Sequence, residues 1–171
     1  MPDPYGIRRL GAPDWPLYRT LRLRSLEDAP HAFGSSLAAE QHRPAALWQA
    51  RMIAAREDSD CPLVAEIGAA PVGMVWGKAD AGDPRLVHVY QMWVAAQARG
   101  RGLGAALLNE VIEWGRRHHA HTVRLAVSIG NEPAAALYRR AGFEVVGAPA
   151  MLHQHSTMLS QVMQLALTPR S

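Results

Sequence analysis

The sequence has few of the features that mark secreted or membrane-spanning proteins. Among 171 residues there is one cysteine, Cys61, so no internal disulfide can form and nothing favours secretion. The first residues, MPDPYGIRRLG, lack the apolar core of a signal peptide. No run approaches the roughly 20 apolar residues that cross a bilayer. We therefore expect a cytoplasmic protein with no membrane partner.

Charge is also sparse. Lys78 is the only lysine, the other basic residues are arginines, and the net charge is +3. These arginines are scattered, and no basic run interleaved with aromatic residues indicates nucleic-acid binding. The hydrophobic content of 49% is that of an ordinary globular protein. Because no repeat or low-complexity linker divides the chain, residues 1–171 are predicted to form a single domain.

Hydrophobic periodicity predicts a mixed α/β fold. The pattern alternates between helical and strand periods, with turn residues between the segments. Three consecutive strands favour antiparallel pairing, and the later helices favour a mixed sheet covered on both faces. The predicted elements, in chain order, are a strand at 5–10, helices at 15–26 (with Asp14 as N-cap) and 44–56, strands at 63–67, 72–78 and 86–94 (the first two joined by a turn at 68–71), a helix at 103–118, a strand at 123–127, a helix at 133–141 ended by Gly142, and strands at 143–146 and 161–167.

A glycine-rich turn between a strand and a helix is the most informative segment. Gly100, Gly102 and Gly104 stand at alternate positions, so a ligand can approach the backbone amides closely. The following helix adds unpaired amides and the positive end of its dipole, and Arg99 and Arg101 add charge. This arrangement predicts a site for a diphosphate-sized anion. A dinucleotide-binding Rossmann turn is disfavoured, because that turn follows the first strand of a βαβ unit.

The segment Arg99-x-x-Gly102-x-Gly104 resembles the Arg/Gln-x-x-Gly-x-Gly/Ala signature of the GNAT superfamily of acyl-CoA-dependent N-acetyltransferases. The resemblance implies a splayed mixed sheet of six to seven strands, with helices on both faces. Its fourth and fifth strands would open into a V that admits the pantetheine arm of acetyl-CoA. Loop amides would bind the pyrophosphate, and the preceding strand would pair with pantetheine. The cofactor-binding residues that it implies here are Met92, Trp93, Val94, Arg99, Gly100, Arg101, Gly102, Leu103 and Gly104.

A second segment, from Asn131 to Phe143, resembles the family's Asn-x-x-Ala-x-x-Leu-Tyr…Gly-Phe pattern. Asn131 lies between a strand and a helix and fits an N-cap, and the resemblance implies that it also binds the pantetheine arm. Tyr138 lies about two helical turns later. A phenol, with a pKa of ~10, can donate a hydrogen bond to the thiolate that leaves a thioester. The resemblance implies this general-acid role for Tyr138, and the alternative is a tyrosine that only covers the core.

The sequence departs from the family pattern at the residue that would take the proton of the acceptor amine. Many members carry a Glu in the strand before the glycine loop, but no acidic residue lies between Asp83 and Glu110. His88 titrates near neutrality and is the candidate catalytic base, with an ordinary polar strand position as the alternative. His88 shares a strand face with Tyr90, and with Met92 if no β-bulge intervenes.

Two regions are candidates for the acceptor pocket. Phe33, Glu40 and Trp48 come from the region that usually faces the acceptor in the family, and Glu40 is a candidate partner for a cationic amine. His153 and His155 lie in the predicted loop between the last two strands, where they either contact the substrate or face solvent. Neither region identifies the acceptor.

The remaining reactive residues are expected to be inert. Cys61 lies outside the motifs, so we expect a buried thiol rather than an acyl carrier. His118, His119 and His121 have no carboxylate or cysteine grouped with them, so no metal is expected.

The leading hypothesis is transfer of an acetyl group from acetyl-CoA to a primary amine of a small molecule or peptide by direct attack. The alternative from a different class is a non-catalytic acyl-CoA-binding sensor module. An O-acyltransferase or the use of a longer acyl chain also stays open, as does the oligomeric state, including a homodimer.

Overall fold

The computed structural model describes residues 4–33, 35–151 and 158–168, in which strands and helices follow the predicted order. A short 3₁₀ turn precedes the first helix and another follows the fourth strand. The elements are β1 (Tyr5–Arg9), α1 (Trp15–Asp28), α2 (Leu37–Glu40), α3 (Ala45–Ala54), β2 (Asp60–Ile67), β3 (Ala70–Ala79), β4 (Leu86–Val94), α4 (Leu103–Arg117), β5 (Thr122–Ser128), α5 (Glu132–Arg140), β6 (Glu144–Met151) and β7 (Leu159–Ala166).

The strands form one seven-stranded sheet in the order β1-β2-β3-β4-β5-β7-β6. Strands β1 to β4 pair antiparallel in succession, and β7 pairs antiparallel with both β5 and β6. The contact between β4 and β5 is parallel and short, joining 86–88 to 122–124 although both strands continue. The two strands therefore diverge beyond His88, which confirms the splayed mixed sheet expected from the sequence.

Helices cover both faces of the sheet. Helix α4 lies so close to β3 that a Cβ added at Gly77 would stand only 2.7 Å from Val111 Cγ1. Successive strand residues point to opposite faces, so Trp76 faces away from α4. There it packs against Tyr18 of α1, with ring centres 5.2 Å apart, and Tyr18 in turn packs against Trp48 of α3. Two apolar layers thus hold β3 and β4 in the centre of the molecule.

Some local details differ from the prediction. The hairpin between β2 and β3 turns on two residues, Gly68 and Ala69, because β3 already begins at Ala70. Asp14 holds the N-cap position of α1, but its carboxylate accepts the Gly11 amide at 2.8 Å and makes no cap hydrogen bond to α1. The short helix α2 was not predicted. Within the described ranges, no helix has the length and apolar character needed to span a bilayer.

Candidate active site

A cleft of about 1350 Å³ opens where β4 and β5 diverge. Its walls are the second halves of these strands, α4 as far as Ile112, α5 along its length, and the segment that follows α1. Because strand pairing stops at His88 and Arg124, the later peptide groups of β4 that face β5 have no strand partner. Such an open edge can pair with an extended ligand that carries amide groups.

Strand β4 contains a β-bulge beside the cleft. Gln91 and Met92 together oppose one residue of β3, and Gln91 adopts a left-handed φ of 57°. Past the bulge, Val94 Cγ2 lies 3.9 Å from the Cβ position of Gly104, on the α4 side of the sheet. Met92, two residues earlier, lies on that side too. It therefore does not share a face with Tyr90, which corrects the arrangement expected without a bulge.

The glycine loop presents open backbone amides to the cleft. Gly100 and Gly102 have φ angles of 79° and 80°, the left-handed region that favours glycine. Among the described residues, the amides of Leu103, Gly104 and Ala105 have no hydrogen-bond acceptor, and all three residues line the cleft. These amides stand at the positive end of the α4 dipole. This is the geometry of an anion-binding site.

Arg99 is bound within the protein rather than directed freely at the cleft. Its Nη2 lies 2.6 Å from Asp28 Oδ2, and its Nε donates to the Val94 carbonyl at 3.0 Å. Asp28 also accepts from Trp93 Nε1 at 2.9 Å. Asp28 thus compensates the charge of Arg99 and ties the glycine loop and β4 to the end of α1. Arg101 is exposed and does not line the cleft.

Tyr138 is fixed in position by the way α5 ends. Gly142, with φ 98°, donates its amide to the Arg139 carbonyl, and Phe143 donates to the Tyr138 carbonyl, each at 3.0 Å. This is a Schellman motif, and its usual apolar contact is the Tyr138–Phe143 ring pair at 6.0 Å. The helix-ending role predicted for Gly142 is therefore confirmed.

The side chain of Tyr138 lines the cleft while being only 6% exposed. No hydrogen-bond partner for its hydroxyl is found in the described part of the chain. Burial raises the pKa of Tyr138 to about 12, so the phenol is protonated at neutral pH. Its proton is available to a bound ligand.

Asn131 and Ser128 close the far wall of the cleft. Asn131 is the N-cap of α5, and its Oδ1 accepts the Ala134 amide at 3.4 Å, as the sequence predicted. Ser128, at the end of β5, donates its hydroxyl to the carbonyl of His31 at 2.9 Å. This bond fixes the segment after α1 against β5 and so sets the width of the opening.

His88 lies outside the cleft lining. Its Nε2 is 2.9 Å from Asp80 Oδ1, and its ring stacks on Tyr90 with centres 5.6 Å apart. The hydrogen bond from His88 holds the pKa of the Asp80 carboxyl below its usual value. The structure therefore does not bring His88 and Tyr138 to one wall, although the sequence suggested them as base and acid.

The acceptor-side candidates occupy three different environments. Phe33 lines the cleft, whereas Trp48 is fully buried in the core. Glu40 is also buried, and it is bound by Arg43 at 2.9 Å and by Arg51 at 3.5 Å. Its charge is thus already compensated, which removes the reason to expect it to hold a cationic amine.

Neither the thiol of Cys61 nor the ring of His118 lines the cleft. Cys61 is buried away from the cleft, and burial raises its pKa to about 11, as expected for an unreactive thiol. His118 contacts the Trp114 carbonyl through Nδ1 at 2.9 Å. Within residues 4–33, 35–151 and 158–168, no group of three or more His, Cys, Asp or Glu could hold a metal ion. His153 and His155 lie outside the described residues.

Sequence reasoning missed Asp28 and Ser128. The Arg99–Asp28 pair is separated by 71 residues, and no spacing rule joins a helix end to a distant glycine loop. Asp28 offered one weak signal, because an acidic residue at a helix C-terminus opposes the helix dipole and needs another reason to be there.

The family relationship follows from residues 20–143, which match the model of the acetyltransferase (GNAT) family. That range includes most of α1, the glycine loop, the splayed strands and Tyr138. The chain belongs to the GNAT acetyltransferase family. The superfamily resemblance inferred from Arg99-x-x-Gly102-x-Gly104 is therefore confirmed, and the fold inferred with it.

Two curated relatives and one solved GNAT structure illustrate the likeness. The mycothiol acetyltransferase of Corynebacterium glutamicum is 28% identical over 148 residues, covering 84% of this chain and 48% of that protein. The L-methionine sulfoximine/L-methionine sulfone acetyltransferase of Pseudomonas paraeruginosa is 34% identical over 99 residues, 54% of this chain and 56% of that protein. The chain spans about half the length of these curated relatives. The phosphinothricin acetyltransferase of Sinorhizobium meliloti, solved with acetyl-CoA, shares the fold with a TM-score of 0.77 and 21% identity over 95% of this chain and 88% of that one.

Proposed function

We propose that this protein transfers the acetyl group of acetyl-CoA to a primary amine of a small molecule or peptide by direct attack, without a covalent enzyme intermediate. One observation carries the proposal: a single cleft is lined by the open amides at the start of α4 and by Tyr138. The first can hold an anion and the second can donate a proton. The two curated relatives are named as acetyltransferases of small molecules, which agrees with this reaction class.

The cleft suits a long, anionic cofactor. Its volume of about 1350 Å³ exceeds the roughly 300–1,000 Å³ that is usual for drug-sized ligands. The amides of Leu103, Gly104 and Ala105 would hold the pyrophosphate, and the open edge of β4 from Met92 to Val94 would pair with the pantetheine amides. Asn131 would contact the same arm. Acetyl-CoA, when bound there, supplies an acyl group activated as a thioester.

Tyr138 is the residue that we assign to the leaving sulfur. A thiol has an ordinary pKa of ~8.5, well below the value of about 12 at Tyr138. The phenol therefore stays protonated until the carbon–sulfur bond breaks, and it acts chiefly by donating a hydrogen bond to the developing thiolate.

Proton removal from the acceptor amine is assigned to His88, acting through water. The carboxylate of Asp80 orients the His88 ring through a contact of 2.9 Å. Because His88 does not line the cleft, the proposal requires water to carry the proton from the amine to the His88 ring. Direct attack is favoured because Cys61 is buried away from the cleft.

The decisive experiment measures CoA release and CoA binding for wild type and Tyr138→Phe. We expect the variant to lower kcat by about 10²-fold or more, the usual range for a positioned acid, while CoA affinity changes less than threefold. Tyr5→Phe is the matched control, because Tyr5 is 47% exposed on the edge strand β1 and should match wild type. Equal kcat for Tyr138→Phe and wild type would remove Tyr138 from the mechanism.

A non-catalytic acyl-CoA-binding sensor is the second candidate function. One observation favours it: Asp28 is the one carboxylate among the described residues that line the cleft, and it is paired with Arg99. The cleft therefore contains no free carboxylate to serve as a base. If acetyl-CoA binds tightly but no amine accelerates thioester loss, the sensor explanation replaces catalysis.

A further inference from the structure

A group of charged residues, two of them buried, lies near Phe33 in the cleft wall, and its positive charge is in excess. This arginine cluster consists of Arg22 on α1, Glu40 on α2, Arg43 in the segment between α2 and α3, and Arg51 on α3. Arg22 is 4% exposed and Glu40 is 5% exposed. One carboxylate therefore faces three guanidinium groups.

Arg22 is the member of the cluster that makes no ion pair, although the Glu40 carboxylate lies near enough to favour its charge. The Glu40 carboxylate is already shared by Arg43 and Arg51. The Nη1 of Arg22 reaches only the Ser25 hydroxyl, at 3.5 Å, and its buried Nε has no partner in the described part of the chain. Burial lowers the pKa of Arg22, although a guanidinium stays protonated in proteins. An unpaired buried charge is destabilising and calls for a functional reason.

None of these four residues lines the cleft itself, but they contact its lining at two points, directly at Phe33 and through Tyr18 at Gln91. The Arg22 guanidinium lies 4.8 Å from the centre of the Phe33 ring, which lines the cleft. One turn earlier on α1, the Tyr18 hydroxyl donates to Gln91 Oε1 at 2.8 Å, at the bulge of β4. Arg51 Nη1 lies 3.4 Å from the same hydroxyl. The cluster is thus on the α1 side of β4, opposite the α4 helix.

We propose that the acceptor is a small primary amine that carries a carboxylate, and that Arg22, assisted by Arg51, binds this carboxylate beside Phe33. This inference rests on the proposed acetyl transfer and narrows its substrate class. A guanidinium fork matches the two oxygens of a carboxylate, and a bound carboxylate would neutralise the charge that the protein leaves uncompensated. Polyamines and amides lack that group, so they are poorer acceptors.

The test uses the purified full chain with acetyl-CoA and measures CoA release for matched acceptors. These are the standard L-amino acids and L-methionine sulfone, each compared with its primary carboxamide. We expect kcat/KM to be about tenfold or more higher for at least one acid than for its amide, the effect of a hydrogen bond between charged groups. The variant Arg22→Met should abolish that preference, because its activity on the acid should fall about tenfold more than its activity on the amide. Arg56→Met is the control, because Arg56 is exposed and paired with Asp58, and this variant should keep the preference.

A second measurement separates binding from a structural role of Arg22. Methionine fills a similar volume without the unpaired charge, so the denaturation midpoint of Arg22→Met without acceptor should equal or exceed that of wild type. A lower midpoint, with equal loss of activity on acids and amides, would assign Arg22 a structural role and overturn the inference.

The two levels of the hypothesis fail in different ways. Transfer to amides as fast as to acids overturns the carboxylate inference and leaves acetyl transfer standing. Binding of acetyl-CoA with no transfer to any acceptor overturns the acetyl-transfer proposal, and the carboxylate inference falls with it.

Discussion

The glycine loop offers the sharpest test of how the cleft holds an anion, through Gly102→Ala. Gly102 has φ 80°, and no atom lies within 4 Å of the position that a Cβ would take. The substitution therefore introduces backbone strain without a collision. A non-glycine residue in this left-handed region costs about 1–2 kcal/mol, which lowers Tm by roughly 2–8 °C in a chain of this size.

The same strain acts on cofactor binding, because Gly102 is the N-cap of α4 and precedes the open amides of Leu103 and Gly104. If the backbone relaxes toward negative φ, these amides turn away from the anion. Loss of one hydrogen bond to a charged group corresponds to about 1.5–3 kcal/mol, or roughly a 10- to 100-fold weaker affinity for CoA. Isothermal calorimetry and a thermal melt measure the two effects separately.

The matched control for this experiment is Gly68→Ala. Gly68 also has a positive φ, 60°, with no atom within 4 Å of its Cβ position, but it lies in the β2–β3 turn and does not line the cleft. We expect a similar fall in Tm and unchanged CoA affinity. If Gly102→Ala binds CoA as tightly as Gly68→Ala does, the amides at the start of α4 do not bind the pyrophosphate.

Three further predictions address other parts of the molecule. His88→Gln should lower kcat/KM and flatten the acidic limb of its pH profile, and an unchanged profile would exclude His88 as the base. Gly77→Ala should lower the unfolding free energy measured by urea titration by about 1–3 kcal/mol, because its Cβ would stand 2.7 Å from Val111 Cγ1. The control Gly6→Ala should have little effect in the same titration, because no atom lies within 4 Å of the position of its Cβ. Burial raises the pKa of Cys61 to about 11, so its contribution to stability is present below pH ~9 and is lost as pH rises toward 11. Cys61→Ala should reduce that alkaline loss in pH-dependent melts and retain activity at neutral pH; a loss of activity would reopen a cysteine-based route.

The parts of the fold that the sequence predicted are those set by local rules. Alternation identified β4 from Leu86 to Val94 without error, and helical periodicity located α4 from its first residue. Gly142 marked the end of α5 because an αL position after a helix strongly favours glycine. These signals need only neighbouring residues, so a single sequence contains them.

The parts that could not be predicted depend on contacts between residues far apart in the chain, or on exceptions to the local rules for backbone conformation. The bulge at Gln91 gives no clear signal in the sequence, because the residue with the left-handed conformation is a glutamine rather than a glycine. The Arg99–Asp28 pair joins two residues separated by 71 positions in the chain. Nor does a pattern reveal that Arg22, one of many arginines, is buried without an ion pair.

The bulge would allow one strand to contact both the proposed cofactor and the proposed acceptor on opposite sides of the sheet. In a regular strand, Tyr90, Met92 and Val94 would share one face. The extra residue at Gln91 changes the alternation, so Met92 and Val94 face α4 and the glycine loop while Gln91 stays on the α1 side, bound to Tyr18. A cofactor held by α4 and an acceptor held near α1 would therefore meet at Gln91, where β4 no longer pairs with β5. The strained φ of Gln91 is then a consequence of bringing two binding surfaces together on adjacent residues.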